Sequence, residues 1–349
     1  MSHTITTRTT IVVTLALFLG AAVVWAQGTG GGTVPTTVGP AAATVLQWFI
    51  DPGQALAAAR AAGRPVYIYI WAKYNPDCVK MADETLTYDQ VIAQLALFQL
   101  VALDAHNRAN FGFFDQYKIP YFRVEGPAGP EVPHDAGVVW SGGGRYPTSL
   151  FLDSQGREVY RMFGYVGGAG FAVRLAQVTE ALKAWDNLRA NPTSAPAEFR
   201  VGHAYMELQV LPEARTHLQQ ALKLDPQNLT GVAPDARLDL LIMAIPDDPG
   251  NSIAALQQWQ KQNANHPRRL EATYYEAATN VAVAEGLMAA APEGTKGLTK
   301  EALARLDAAT RILQVFKQSK PGSVEHESQW YMAAMELLTG IDKVLHPDK

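Results

Sequence analysis

The chain has 349 residues, 48% of them hydrophobic and 18% charged, with a formal net charge of −4 at pH 7. That length accommodates a targeting segment and two domains, each able to bury a core of its own. The balance offers no basic footprint for nucleic acid or an anionic lipid surface, so no nucleic-acid partner is expected.

At the N-terminus, Arg8 precedes an apolar run from Ile11 to Trp25 that closes on small residues, Val24 and Ala26. This shape predicts a signal peptide over residues 1–26, cleaved after Ala26, and hence a periplasmic or secreted protein. The alternative is an uncleaved anchor, but the run is shorter than the roughly 20 residues that span a bilayer. No stable membrane insertion is therefore expected after cleavage. Residues 27–44, GTGGGTVPTTVGPAAAT with Gln27 before it, are Gly, Thr and Pro with little to bury and read as a flexible linker. The single cysteine, Cys78, cannot form an intrachain disulfide. It is left to packing, to reaction with another molecule, or to ligation.

From residue 45 to about 190 strands alternate with helices. Asp51 can cap a helix through PGQALAAARAAG, which Gly63 ends and Pro65 cannot continue. VYIYIWA (66–72), β-branched and aromatic, suits a strand covered on both faces. Helices are predicted over about 76–86 and 89–96, then a second buried strand, FQLVALD (98–104), and a helical stretch around 110–117. TSLFLDSQGREVYRMFG (148–164) is two strands about an Asp-Ser-Gln-Gly turn, and a last helix covers about 170–187. From residue 191 strands give way to Ala, Leu, Gln and Glu, which marks a boundary at NPTSAP (191–196).

VYIYIWAKYNPDC resembles the first central strand and active-site turn of the thioredoxin fold, a hydrophobic strand, Trp-Ala-x-Trp, then Cys-x-x-Cys opening a helix. Trp71, Ala72 and Tyr74 fit that pattern; Asn75 falls on the first cysteine and Cys78 on the second. The preceding helix is similar to the lead-in of thioredoxin-like domains in periplasmic thiol:disulfide interchange proteins. Tyr146, Pro147 and Thr148 before LFLDSQGREV match the family's cis-proline and hairpin, and with it the groove that binds extended polypeptide. The resemblance implies an α/β thioredoxin-like domain over residues 45–190.

Two departures bear on chemistry. The resemblance makes the first cysteine the nucleophile, activated at a helix N-terminus, and that position is Asn75. The family's buried carboxylate, two residues before the strand-end Trp, is here Tyr69. Ordinary dithiol exchange is thus not expected, and the one candidate catalytic residue is Cys78 as a monothiol. Read from the residues alone, Asn75-Pro76-Asp77 is a helix start: an N-cap, a proline at the first helical position and an acid in the first turn. Cys78 lies in that first turn, where the dipole favours thiolate and Asp77 opposes it. It is either a small packing residue or a thiol that forms mixed disulfides.

Cys78 and Met81, three residues apart on one helix face, are conceivable copper(I) ligands; the plain alternative is that Met81 fills the core. No third ligand is identified, His106 and His134 read as polar loop residues, and no metal or cofactor is expected. The Pro- and Gly-rich segment over about 120–145 is an insertion carrying Tyr121, Phe122, His134, Asp135 and Trp140. It forms either a lid or binding surface over the turn, or a peripheral decoration.

Residues 197–226 resemble one tetratricopeptide repeat: Gly202 and Tyr205 in its first helix, Ala214, Leu218 and Ala221 in its second, and Pro226 closing it, with Glu198 where the leading Trp would stand. The second-helix spacing recurs at Ala255, Trp259 and Pro267 and at Ala309, Leu313 and Pro321. This predicts an all-α tetratricopeptide-like helical repeat domain over residues 191–349, of three helix pairs with residues 328–345 as a terminal capping helix. The combination resembles the chaperedoxins, which join a thioredoxin-like domain lacking the first active-site cysteine to such repeats. Those are cytosolic, whereas an export signal is expected at the start of this chain, so only the architecture carries over. The expected function is an exported, redox-impaired protein-binding adaptor or holdase. Its partners would be other proteins or unfolded polypeptides of the cell envelope. A monothiol oxidoreductase or a copper(I) carrier would be the alternatives.

Overall fold

Apolar character and burial coincide most fully at VYIYIW. In the computed structural model, which describes residues 46–73, 75–123, 139–140, 146–291 and 298–346, this segment is a strand whose first five residues are buried. The expected signal peptide (1–26) and linker (27–44), Tyr74, and His134 and Asp135 of the insertion lie outside the described residues.

The described strands are β1 (Trp48–Phe49), β2 (Val66–Trp71), β3 (Gln99–Asp104), β4 (Phe122–Arg123), β5 (Val139–Trp140), β6 (Thr148–Leu152) and β7 (Glu158–Phe163). Five of them form one sheet in the order β1-β3-β2-β6-β7. β3 runs parallel to β1 and β2, while β6 is antiparallel to β2 and β7 to β6. The other two pair antiparallel, Phe122 opposite Trp140, and are the described part of the expected insertion. The two-residue β1 was not among the predicted elements, because two residues carry no periodic signal.

Side chains of β2 alternate between two layers, as a strand buried on both faces requires. Ile68 and Ile70 join Val101, Leu103, Phe114 and Leu150 in one core, to which α1 (Pro52–Ala62) adds Ala55 and Ala59. On the opposite face Tyr67 stacks on Phe151 at 5.0 Å and meets Trp48 and Phe171 edge-on at 6.0 and 5.9 Å. The expected cap of α1 is in place: Asp51 accepts from the amides of Gly53 and Gln54, and Gly63 closes the helix at φ +64°.

The single helix predicted over 76–86 is instead α2 (Pro76–Lys80) followed by a π turn, Met81–Thr85, and the next helix is α3 (Asp89–Leu95). Met81 and Thr85 are both fully buried, and the Thr85 hydroxyl donates to the Val166 carbonyl at 2.6 Å. Periodicity cannot show a π turn, which is selected by what the widened turn reaches. After β3 come α4 (Phe111–Gln116) and, past the hairpin, α5 (Gly168–Ala190). The hairpin turn is tied to α5 by the buried Asp153. Its carboxylate accepts from the amides of Gln155 and Arg157 and pairs with the Arg157 and Arg189 guanidinium groups at 3.0 and 2.6 Å.

The chain divides into two compact units between Pro192 and Thr193. Beyond it lie α6 (Ala195–Glu207), α7 (Leu211–Leu224), α8 (Ala233–Ala244), α9 (Pro249–Gln262), α10 (Arg269–Ala289), α11 (Lys300–Lys317) and α12 (Trp330–Leu345). α6 packs on α7, α8 on α9, α10 on both α9 and α11, and α12 on α11. Ala214, Leu218 and Ala221 are fully buried and Tyr205 nearly so, while Pro226 follows the end of α7. The recurrent spacing holds in α11, where Ala309 and Leu313 are fully buried, and in α9 at Trp259 but less fully at Ala255. There Ala255 is only half-buried, and Ile253, Leu256 and Trp259 supply the core. Trp259 is buried as that spacing requires, and its indole donates to the Pro234 carbonyl at 2.8 Å.

At Gly202, α6 and α7 approach closely. A Cβ there would stand 2.7 Å from Leu218 Cγ and 2.9 Å from the Leu218 backbone nitrogen. Because backbone cannot yield as a flexible side chain can, Gly202→Ala is expected to destabilise the helical unit by about 1–3 kcal/mol despite alanine's better helix propensity. Denaturant unfolding of the full chain checks this; an unchanged or raised midpoint of the helical transition would contradict the close packing.

Candidate functional site

The turn after β2 is built by local capping. Asn75 is extended at φ −75°, ψ 118°, and its Oδ1 accepts from the amides of Asp77 and Cys78 at 2.9 and 3.1 Å. Pro76 occupies the first helical position, where the amide it lacks would have no helical partner. The residue in the first-cysteine position is therefore the cap that starts α2.

Cys78 faces inward and is only 4% exposed, in the same core cluster as Ile70, Ala72, Tyr121 and Tyr146. Its Sγ accepts from the Ala72 amide at 3.4 Å. Burial pushes the thiol's pKa up, and Asp77 adds to the rise; the Ala72 amide and Tyr69 act in the opposite direction without cancelling it. Thiolate is the nucleophilic form, so this placement works against reactivity.

Tyr69, in place of a carboxylate, donates its hydroxyl to the Cys78 carbonyl at 2.7 Å. Burial, and then the proximity of Cys78, raise its pKa far out of the physiological range. It holds the turn in position and cannot relay a proton as a carboxylate would. On its other side Tyr69 helps to line an apolar cavity of about 410 Å³ with Trp48, Leu86 and Ile92.

The Tyr146–Pro147 peptide bond is cis. Tyr146, Pro147 and Thr148, the residues expected to line a groove, are all buried. The Pro147 carbonyl accepts from the Gly164 amide at 2.7 Å, Thr148 pairs in register with Ile70 and Phe163, and the Tyr146 hydroxyl donates to the Pro120 carbonyl. What stands exposed near the turn is Val79, at 55%, and Phe163, at 46%. Their segments are joined by the Lys80 ammonium over the Tyr165 ring, 4.4 Å from its centroid, and by the Tyr165 hydroxyl donating to Glu84 at 2.7 Å. Sequence reasoning did not single out Val79, Phe163 or Tyr165; an exposed apolar residue in an amphipathic segment carries no signal of its own.

Met81 is fully buried and acts as core. His106, read as a polar loop residue, is buried as well, its Nδ1 3.1 Å from the Asp104 carboxylate, which also accepts the His106 amide. Among the described residues no three His, Cys, Asp or Glu side chains gather so as to hold a metal ion.

Residues 52–179 match the family described as a thioredoxin-like domain. Solved structures that resemble the chain include a thioredoxin from Thermus thermophilus, 25% identical, covering 42% of this chain and 96% of its own with a TM-score of 0.31. The DsbH oxidoreductase is 22% identical, covering 44% of this chain and 94% of its own with a TM-score of 0.31. The oxidised C-terminal domain of Neisseria meningitidis DsbD is 19% identical, covering 38% and 98% with a TM-score of 0.26. No curated protein matches the chain. The family match and the five-stranded sheet agree: this chain carries a thioredoxin-like α/β domain, followed by a region of many helices.

Proposed function

We propose that this is a protein-binding adaptor or holdase that keeps the thioredoxin-like shape without dithiol chemistry, exported by residues 1–26 to act on polypeptides of the cell envelope. The observation that carries the reading is the Asn75 cap: the position of the attacking sulfur is taken by a side chain bonded to the helix amides. Tyr69 in place of a carboxylate and the inward-facing Cys78 support it further, since neither serves proton transfer or nucleophilic attack. Val79 and Phe163 offer apolar surface beside the turn, and paired helices of tetratricopeptide type provide surface suited to polypeptides.

The purified protein lacking residues 1–26 is expected to suppress aggregation of a chemically unfolded client at equimolar ratio, and Cys78→Ser is expected to do so equally well. Insulin reduction that disappears in Cys78→Ser would replace this reading with that of a monothiol oxidoreductase.

Thiol accessibility gives a second check. At neutral pH, folded Cys78 is expected to react with iodoacetamide at least about tenfold more slowly than the same thiol in denaturant, because burial disfavours the thiolate. Equal rates in the two states would contradict a packing role for Cys78.

A further inference from the structure

In the helical unit the first helix of each pair contributes to one buried charge network. Asp239 of α8 is 0% exposed, and its two oxygens are divided between different helices. Oδ2 accepts from His203 Nδ1 of α6 at 2.8 Å, and Oδ1 accepts from Arg268 Nη2, at the start of α10, at 2.5 Å. Arg268 also donates through Nε and Nη2 to Glu271 at 2.7 and 2.9 Å and lies 3.4 Å from Asp235. One carboxylate thus joins three helices that are distant in the chain. Phe199, one turn before His203, stacks on the imidazole at 5.7 Å.

We propose that His203 is a proton-operated latch: charged, it holds α6 to α8 and α10 through Asp239; neutral, it leaves that junction looser.

The groups around His203 determine how the latch responds. From α8 come Asp239 and Asp235, from the start of α10 Arg268 and Glu271, and from α6 itself Glu207. α7, also packed on α6, brings His217, which pairs with Glu198 at 2.6 Å. Among the described residues, Arg268 is the arginine that pairs with Asp239, Asp235 and Glu271, His266 lies 3.6 Å from Asp235, and a proton on His203 adds a further positive charge at Asp239. Asp239 is fully buried while the His203 side chain is 39% exposed, so losing that proton leaves the buried carboxylate with Arg268 as its remaining charged partner and weakens the tie between α6 and α8.

Burial opposes the imidazolium, but the hydrogen bond to Asp239 and its negative charge outweigh burial and set the pKa of His203 above its ordinary value; Arg268 works against the rise and Glu207 with it. For Asp239, burial is likewise outweighed, by His203 and then Arg268, and its pKa lies below the ordinary one. A raised histidine stabilises the fold fully below its unfolded pKa, about 6.5, and that contribution is lost as pH rises through the folded value. A depressed aspartate contributes above its unfolded value, about 3.9, and that contribution is lost as pH falls through the folded one. Glu207, raised chiefly by burial, makes ionisation costly as pH climbs past the ordinary glutamate value, the same sense as His203. The latch is therefore tightest in mildly acidic medium.

The test uses the full chain. NMR titration of the His203 ring is expected to show a midpoint above about 6.5. Amide hydrogen exchange in α6 and α8, corrected for intrinsic rates, is expected to lose protection through that same midpoint. The loss should reach about tenfold for each pH unit by which the midpoint is raised, and His203→Gln should abolish this pH dependence. A midpoint at or below about 6.5, or protection unchanged across the titration, overturns the proposal. Should His203→Gln fail to fold, the wild-type titration and exchange decide by themselves, with the ring assigned through its own backbone.

Discussion

Strand β2 is the constraint on which the first unit depends. It is hydrogen-bonded along both edges, to β3 and β6, and packed on both faces, so its position is over-determined. Each large side chain it buries is worth about 1.5–3 kcal/mol. From this fixed strand, Tyr69 reaches the Cys78 carbonyl and the Ala72 amide reaches the Cys78 sulfur. The turn that follows is thus positioned by backbone and packing, with a cap at its start, and its shape does not require a second sulfur.

The helical unit solves a different problem. Close approach of α6 and α7 rests on a missing side chain at Gly202 against Leu218. Where the tetratricopeptide pattern has a large apolar residue, Glu198 pairs with His217, and polar contacts recur at other helix junctions. Glu276 of α10 accepts from Gln257 and Gln260 of α9 at 2.8 and 2.7 Å, and Asp239 is held by His203 and Arg268. Buried polar groups are tolerable only when satisfied. Among the described residues no buried side-chain nitrogen or oxygen lacks a partner. The junctions are consequently specific in register.

Much of the architecture was legible because its signals are local. Asp51 with Gly63, and Asn75 with Pro76 and Asp77, are caps whose effect is exerted within a few residues. The apolar run of β2, the hairpin about Gly156 and the long helices after residue 193 are read from composition and period. What escaped reading depends on partners distant in sequence. The π turn at Met81–Thr85 reaches for Val166, the two-residue β1 pairs with β3, and the Trp259 indole finds the Pro234 carbonyl. His106 looked like loop polarity and is buried on Asp104.

By itself, the sequence determined that a helix cap at Asn75 opens the turn after the first long strand, that the chain has one thiol, and that an α/β region gives way to paired helices. Each of these follows from residue identity or short-range stereochemistry. Only the tertiary structure decided that Cys78 points inward beneath Tyr69, that the cis-proline segment is buried, and that His203, Asp239 and Arg268 meet. Those outcomes depend on burial and on contacts between residues far apart in the chain, which local pattern does not encode.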